Sequence, residues 1–185
     1  MDVLLVERAI AGDEEAYAGL MAMAGDRLLA IAYRILRDLG LAEDAVQQTL
    51  VLAWRELPTL RDVDRFDAWL RRLLVNACYR EARRGRRWAT NVWVLPVDQP
   101  ARTDEYDSVV ERDQLDRGFR RLPPEQRAVF VFHHYLGLTL REVAAELGVP
   151  LGTVKSRLHY ATNTLRAALE ADLRLATGAS REHSA

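Results

Sequence analysis

Apolar side chains recur every three or four positions along most of this chain, which is the period of a helix that buries one face. The period predicts an all-α protein. Glycine, proline and polar positions divide it into helices over 2–11, 13–24, 26–37, 42–56, 66–84, 108–121, 124–135 and 139–147, and a last one that starts near Pro150. The period is lost between Leu57 and Arg65, which predicts a loop, and between Trp88 and Asp107, which predicts a linker.

The segment from Thr139 onward carries the signals of a helix-turn-helix. Thr139 and Glu142 have the spacing of a capping box, and Gly148 stands where a helix ends in a left-handed residue. Pro150 then fits the first turn of a second helix. The two helices are therefore predicted to meet at a short corner, as they do in proteins that place the second helix in the major groove of DNA.

The second helix of this pair has one apolar and one polar face. Its inward stripe comprises Val154, Leu158, Ala161, Leu165 and Ala168. The opposite side comprises Gly152, Ser156, His159, Tyr160 and Asn163, flanked by Thr153, Lys155 and Arg157. Such a face suits a DNA groove. A three-helix packing unit with a polar surface is the alternative that periodicity alone leaves open.

The charge is distributed unevenly along the 185 residues, although the formal net charge is only -1. The balance is -5 from Met1 to Leu60, +6 from Ala68 to Trp88 and -5 from Ala89 to Asp116. The basic block consists of Arg71, Arg72, Arg80, Arg83, Arg84, Arg86 and Arg87, with Glu81. One or two arginines at a helix C-terminus are explained by the helix dipole, but this number favours an anionic partner.

The broken pattern predicts two small domains. They span 1–87 and 108–176, are joined by an acidic linker over 88–107, and are followed by a disordered tail over 177–185. We see no signal peptide behind Asp2 and no run of about 20 apolar residues, so we expect a cytoplasmic protein.

No catalytic, metal or cofactor site is expected. Cys78 is the only cysteine and lies in an apolar stripe without a recognisable base, which favours a buried thiol over a nucleophile. His133 and His134 are adjacent and point about 100° apart on a helix, a poor start for a metal site. A phosphate-binding glycine loop is not found.

Three strings in order resemble bacterial RNA polymerase sigma factors of the extracytoplasmic-function (ECF) group, within the sigma-70 family. They are AEDAVQQTLVLAWREL (42–57), RFDAWLRRLLVNACYREARR (65–84) and LPPEQRAVFVFHHYLGLTLREVAAELGVPLGTVKSRLHYATNTLRAAL (122–169), in which GTVKSRL is the most specific. The resemblance covers nearly the whole chain. The chain differs from many members at Leu151, His159, Tyr160 and Asn163, which leaves its base preference open.

The resemblance implies a region 2-like bundle and a region 4-like helix-turn-helix domain on a flexible linker. Such a protein binds core RNA polymerase, through the clamp helices of the largest subunit and the flap, and directs initiation at promoters. It also implies an anti-sigma factor as a partner, a monomer in the holoenzyme, and no direct membrane insertion. The acids Asp98, Asp104, Glu105 and Asp107 would thread a basic channel of the polymerase, if they are not an idle tether.

The same resemblance assigns candidate contacts. For the minus-thirty-five element they are Thr153, Lys155, Ser156, Arg157 and His159. For the minus-ten element they are Arg61, Arg65, Asn76, Arg80, Arg83 and Arg84. For the polymerase they are Asp44, Gln47, Gln48 and Arg55. Alternatives are a solvated helix face for each set, a buried structural amide for Asn76, and a core position for Trp69 rather than a stacking platform.

Two other functions compete with this one. A stand-alone helix-turn-helix regulator would bind an operator as a dimer without polymerase. A helical adaptor module would leave the arginine block and the GTVKSRL face unexplained. An enzyme is the least favoured reading.

Overall fold

The computed structural model describes residues 2–91 and 116–182, with side chains described at 2–85 and 116–170. The helices are α1 (Val3–Ile10), α2 (Glu14–Leu36), α3 (Leu39–Glu56), α4 (Phe66–Asn91), α5 (116–121), α6 (Pro124–Phe130), α7 (Leu140–Leu147) and α8 (Leu151–Glu182). The loop predicted between Leu57 and Arg65 consists of two 3₁₀ turns, and a π-helical turn at Val131–Tyr135 prolongs α6.

Each of the first three helices begins behind an aspartate that caps it. The carboxylates of Asp2, Asp13 and Asp38 accept the backbone N–H groups of Leu4, Ala16 and Leu41 at 3.0, 3.0 and 2.9 Å. These bonds satisfy donors that the helix itself leaves unpaired. The caps fix where the helices start, and α3 consequently begins at Leu39 rather than at residue 42 as the sequence predicted.

The predicted break near Gly25 is wrong, because α2 runs without interruption from Glu14 to Leu36. Gly25 is not among the glycines with positive φ. A glycine inside a helix costs about 1 kcal/mol, whereas Ala24 and Leu28 on either side of it are almost completely buried. Packing of the continuous apolar stripe therefore outweighs the weak propensity of one residue.

Two predicted boundaries also differ from the structure. The first domain was predicted to end at residue 87, but α4 continues to Asn91. The tail was predicted to be disordered from Thr177, but α8 continues to Glu182. Once a helix is nucleated, each added residue gains a hydrogen bond, so both helices continue past the residues at which the sequence pattern ended them. The acidic linker and the helix start predicted at Ser108 lie outside the described residues.

The helix-turn-helix prediction is confirmed. Thr139 and Glu142 form a reciprocal capping box at the start of α7, and Gly148 ends it with a φ of 65°. α8 starts three residues later, at Leu151, and Val154, Ala161, Leu165 and Ala168 of its predicted inward stripe are buried. Leu158 of that stripe is only half-buried.

The two halves of the described chain share one hydrophobic core. α6 and the π-helical turn contact α2, while α6 and α7 contact α4. Completely buried residues of one continuous cluster come from both halves: Leu28, Ile35, Leu74, Val129, Phe132 and Val143. The sequence predicted two domains, and the structure shows in addition that they are packed together.

Residues 2–91 and 116–182 contain neither a candidate membrane span nor a candidate metal site. No helix there combines the length and the apolar character that crossing a bilayer requires. No three histidine, cysteine or acidic side chains in those ranges are grouped as a metal site would need.

Candidate nucleic-acid interface

The N-terminal half of α8 presents the residues predicted to read the minus-thirty-five element. Val154 is buried and anchors the helix, whereas Lys155, Ser156 and His159 are exposed. Thr153 and Arg157 are half-buried. The helix starts three residues after Gly148, and exposed Lys155 and half-buried Arg157 lie in its first two turns.

Two side-chain hydrogen bonds order this face. The Ser156 hydroxyl donates to the Thr153 carbonyl oxygen at 3.0 Å, which directs it to its own helix. The Asn163 amide nitrogen lies 2.9 Å from Nε2 of His159. If the amide donates this bond, the neutral imidazole carries its proton on Nδ1 and presents a donor to solvent.

Along α4, the predicted minus-ten residues form an exposed row. Asn76, Arg80, Arg83 and Arg84 are all exposed, while the opposite face of the helix is buried among Leu74, Val75, Ala77 and Cys78. The alternative of a buried structural amide is therefore wrong for Asn76. Arg84 lies 3.9 Å from the carboxylate of Glu81, and the row is otherwise directed to solvent.

The loop before α4 is fixed at both ends and open in the middle. Leu57 and Phe66 are each 1% exposed and pin the loop to the core. Arg61 and Arg65 between them are exposed, and Arg65 Nε lies 3.2 Å from the Asp62 carboxylate. The two arginines are thus brought to the same end of the molecule as the N-terminus of α4.

The side chains of Phe66, Trp69 and Tyr79 on α4 pack inside the protein. Trp69 is half-buried against the core, with its ring 5.8 Å from that of Phe66, as the core interpretation expects. Burial raises the pKa of Tyr79, while the positive charge of Arg157 acts in the opposite direction. Within the described part of the chain, the Tyr79 hydroxyl has no hydrogen-bond partner. α7, the helix before α8, contacts α4 directly.

The predicted polymerase contacts divide into two groups on α3. Asp44, Gln47 and Arg55 are exposed, but Gln48 turns inward and donates a hydrogen bond to the buried carboxylate of Glu81. Gln48 is therefore placed as a structural residue, because the carboxylate on α4 requires a buried donor.

Sequence analysis missed the apolar members of the same α3 face. Val51 is 55% exposed and Trp54 is 40% exposed, so both apolar side chains face solvent beside Gln47. Tyr17 holds the Trp54 ring edge-on at 4.8 Å, and its hydroxyl donates to the Leu50 carbonyl at 2.5 Å. The signal was available, since Gln47, Val51 and Trp54 follow helical spacing. Exposed tryptophan at helical spacing is typical of interface anchors.

A cleft of about 460 Å³ joins the α3 face to the arginine row of α4. It is lined by Gln47, Gln48, Val51, Leu52 and Arg80. The proposed polymerase and minus-ten surfaces are therefore continuous. The acids Asp98, Asp104, Glu105 and Asp107 lie outside the described residues.

Cys78 lies on the buried face of α4. The thiol is buried, and burial raises its pKa to about 12. The thiol therefore stays protonated near neutral pH, as a packing residue does and a nucleophile does not.

Comparison with known protein families gives two matches. Residues 20–88 match the model of sigma-70 region 2, and residues 112–165 match that of sigma-70 region 4. The first match covers α2 to α4, where the predicted minus-ten residues lie. The second match covers the helix-turn-helix, where the predicted minus-thirty-five residues lie.

Related sequences and structures agree. The chain is 34% identical to the ECF RNA polymerase sigma factor SigL of Mycobacterium tuberculosis, over 87% of this chain and 95% of SigL. It is 27% identical to the RNA polymerase sigma-H factor of Pseudomonas aeruginosa, over 94% of this chain and 96% of that factor.

Two solved structures resemble the whole fold. CnrH, bound to the cytosolic domain of CnrY, is 27% identical with a TM-score of 0.66, over 92% of this chain and 98% of CnrH. The sigma factor RpoE of Bartonella quintana, bound to the anti-sigma factor NepR, has the same identity and TM-score, over 84% and 98%. The chain therefore belongs to the sigma-70 family of RNA polymerase sigma factors and, within it, to the extracytoplasmic-function group.

Proposed function

We propose that this sigma factor recognises a promoter through two surfaces, the α8 face (Thr153, Lys155, Ser156, Arg157 and His159) and the α4 row (Asn76, Arg80, Arg83 and Arg84). The observation that carries the proposal is the α4 row itself. Three arginines and an asparagine stand exposed on one helix, although the net charge of the chain is slightly negative. A solvated face has no need of such a concentration of one sign of charge.

On the upstream element, α8 acts as a recognition helix. Exposed Lys155 and half-buried Arg157 lie in its first two turns and would neutralise phosphates or reach guanine edges. His159, ordered by Asn163, offers a base-edge contact one turn further along. Phosphate contacts fix the register of the helix on the duplex, and the base-edge contacts supply sequence preference.

On the downstream element, the chain has to help open the duplex. Pulling a base out of the stack costs a few kcal/mol, which contacts to the exposed strand must offset. The α4 row provides cations for the phosphates of that strand, and Arg61 and Arg65 extend it into the loop. The firmly anchored loop ends keep this surface in place while the DNA distorts.

Core polymerase docks on the exposed α3 face. Asp44, Gln47 and Arg55 supply its polar part, and Val51 and Trp54 supply its apolar part. One of the solved relatives, the sigma factor RpoE of Bartonella quintana, is bound to an anti-sigma factor, NepR. We propose an anti-sigma factor as a partner here too, and the cytoplasm as the place of action. No step requires bond chemistry or a cofactor.

Run-off transcription tests the proposal. Purified core polymerase, with and without the chain, is given a promoter library, and we expect new start points only in its presence. An Arg80→Ala/Arg83→Ala variant should lose open complexes, whereas Arg8→Ala, on α1, should retain them. A dimer with tight stand-alone DNA binding would instead support the helix-turn-helix regulator.

A further inference from the structure

A cleft of about 290 Å³, separate from the one on α3, lies at the C-terminal end of α2 beside the π-helical turn. Its volume is close to the lower limit for clefts that hold small molecules in proteins, about 300 Å³. The proposed DNA and polymerase surfaces include none of its lining residues. Two arginines and four rings contribute to that lining, namely Arg34, Arg37, Phe119, Phe130, His134 and Tyr135.

Arg37 reaches the cleft from a strained backbone position. It ends α2 with a φ of 59°, and among the described residues it is the one non-glycine residue with a positive φ. This left-handed conformation costs energy for any residue that carries a side chain. The Arg37 N–H donates to the Tyr33 carbonyl at 2.7 Å, as a residue that closes a helix does. Glycine would close the helix without the strain, so the arginine adds only its side chain.

The guanidinium of Arg37 is only partly satisfied by the protein. Its side chain is 17% exposed, and its Nη2 forms an ion pair with Asp116 of α5. Its Nε is buried and has no hydrogen-bond partner among the described residues. A buried N–H group without a partner is costly and uncommon in native proteins. Arg37 Nε is therefore an unused donor at a residue that lines the cleft.

Positive charge exceeds negative charge around this donor. Asp116 is shared, because Arg120 Nε also lies 3.1 Å from its carboxylate. Asp38, the next residue along the chain, caps α3 instead. Burial lowers the pKa of Arg37, and the positive charges of Arg120 and Arg34 lower it further. An anion bound beside Arg37 would offset both effects.

The rings of the cleft suit a planar group. The Phe130 ring has the Phe119 ring edge-on at 5.1 Å and the His134 ring at 4.4 Å. Burial lowers the pKa of His134, so its imidazole is neutral near pH 7 and contributes a ring rather than a charge. The Arg34 guanidinium lies 3.8 Å from the centre of the Tyr135 ring, so one flat group is already stacked there. Aromatic rings bind planar partners by burial and by stacking.

We propose that this cleft binds a small anion joined to a planar ring, as in a mononucleotide or an aromatic carboxylate. The anion would accept the hydrogen bond of Arg37 Nε and lie near Arg34. The ring would lie against Phe119, Phe130 and Tyr135. Phosphate and carboxylate both suit an arginine, because its N–H groups are held in a fixed fork that matches their oxygens. The site goes beyond the proposed function and does not depend on it.

Isothermal titration calorimetry of the full chain tests the site with four probes. AMP joins a phosphate to a ring, benzoate joins a carboxylate to a ring, inorganic phosphate has no ring, and adenosine has no anion. We expect AMP or benzoate to bind, and phosphate and adenosine to bind about tenfold more weakly or less. Tighter binding of AMP identifies a phosphate ligand, and tighter binding of benzoate identifies an aromatic carboxylate. No binding of AMP or benzoate would overturn the site.

Arg37→Gly separates ligand binding from folding. Glycine adopts the left-handed conformation without strain, so the helix content measured by circular dichroism should be retained. The affinity for the ligand should fall by about tenfold, because the donor and its charge are removed. Arg8→Ala, which removes an exposed arginine from α1, is the control and should bind as the parent does. Equal affinity in Arg37→Gly and the parent would contradict the proposal.

Two further measurements locate the bound ligand. Tyr135→Leu removes an exposed ring, and it should weaken the binding of AMP or benzoate while the binding of inorganic phosphate is unchanged. Loss of AMP binding in Arg80→Ala/Arg83→Ala, with retention in Arg37→Gly, would place the nucleotide on the DNA surface and overturn the proposal. Binding that appears only after Asp104, Glu105 and Asp107 are changed to amides would assign the cleft to the chain's own linker, and this would also overturn it.

Discussion

Arg157 occupies different surroundings in the free chain and in the proposed DNA complex. Here it is half-buried near Tyr79, while on a promoter it would lie against the phosphate backbone. When this guanidinium leaves its partly shielded site and binds a DNA phosphate, a counterion is released. This release adds to the affinity for DNA, and the added affinity depends on the salt concentration. The contribution of this residue is thus measurable apart from the rest of the interface.

Replacing Arg157 with alanine should weaken binding of the holoenzyme to promoter DNA and reduce the slope of log affinity against log salt by about 1. Filter binding over a salt series measures both quantities. Arg166→Ala is the matched control, because Arg166 is exposed on the same helix but nine positions on, about half a turn around the axis. An unchanged slope in Arg157→Ala would remove this residue from the phosphate contacts.

Cys78 should make stability depend on pH in the alkaline range. Its pKa is about 12 in the folded chain against 9.0 in the unfolded chain, so the folded state retains the proton that the unfolded state loses. Stability from this group is complete below pH 9 and is lost as the pH rises toward 12, with a limiting slope of about 1.4 kcal/mol per pH unit. Between pH 8 and pH 10, the free energy of unfolding measured with urea should fall by about 1 kcal/mol more in the natural chain than in Cys78→Ala. Equal losses would contradict it.

Single residues could be predicted from sequence when their role follows from helical spacing alone. The exposure of Lys155 and the burial of Val154 belong to this class. Gln48 does not, because its partner Glu81 lies on another helix, and the pattern gives no pairing between α3 and α4. Trp54 was missed because spacing alone does not distinguish an exposed apolar residue from a buried one.

At the scale of elements, Gly148 combines two constraints. Its φ is 65°, which L residues with a side chain rarely adopt, and a Cβ there would lie 3.0 Å from Nη2 of Arg72 of α4, so the arginine side chain would have to shift. Gly137 has a similar φ of 71°, but nothing lies within 4 Å of its Cβ position. Of these two left-handed glycines, only Gly148 is also a domain contact.

Gly148→Ala and Gly137→Ala should each lower the free energy of unfolding by about 1–2 kcal/mol through backbone strain. Only Gly148→Ala should in addition displace Arg72. That displacement should decrease energy transfer between a donor and an acceptor dye on cysteines introduced at exposed Met23 of α2 and Ala167 of α8. Urea unfolding and the dye measurement on both variants separate the two effects. A decrease of the same size in Gly137→Ala would show that strain, and not the Arg72 contact, loosens the boundary.

Helix ends were predicted correctly at the corner of the helix-turn-helix, but the start of α3 behind the Asp38 cap was not. The capping box of Thr139 and Glu142 and the left-handed Gly148 are local devices, legible within four residues. The break at Gly25 and the end of α8 were predicted wrongly, because there the outcome depends on packing and on helix propagation rather than on a local signal. Local chemistry thus fixes the starts of helices better than their continuity.

The whole molecule is held by a core that crosses the domain boundary. Phe132 and Val143 of the second half are completely buried in the same cluster as Leu28 and Leu74 of the first. The pattern of each helix predicted its buried face, but it could not show that faces from the two halves meet. The closed arrangement is therefore the part of the fold that only the structure provides.

Phe132→Ala should destabilise the chain as a unit. Truncating a fully buried phenylalanine costs about 3–5 kcal/mol, and the cavity would lie in the shared cluster. Calorimetry of the free chain should show a single transition, shifted down by about 10 °C. Phe119→Ala, in the smaller cluster around Leu122 and Leu165, is the control and should have a weaker effect. A first-half transition that stays at its original temperature in Phe132→Ala would show that the halves unfold independently.

The π-helical turn at Val131–Tyr135 determines the direction in which the chain leaves α6 toward α7 and α8. Its signature is the bond from the Leu136 N–H to the Val131 carbonyl, at 3.1 Å, which spans five residues where an α-helix spans four. Deleting one residue from Val131–Tyr135 would tighten the turn to ordinary winding and swing the downstream chain by about 100° about the axis of α6. The groove-reading side of the molecule would then point elsewhere, although every contact residue on it would still be present.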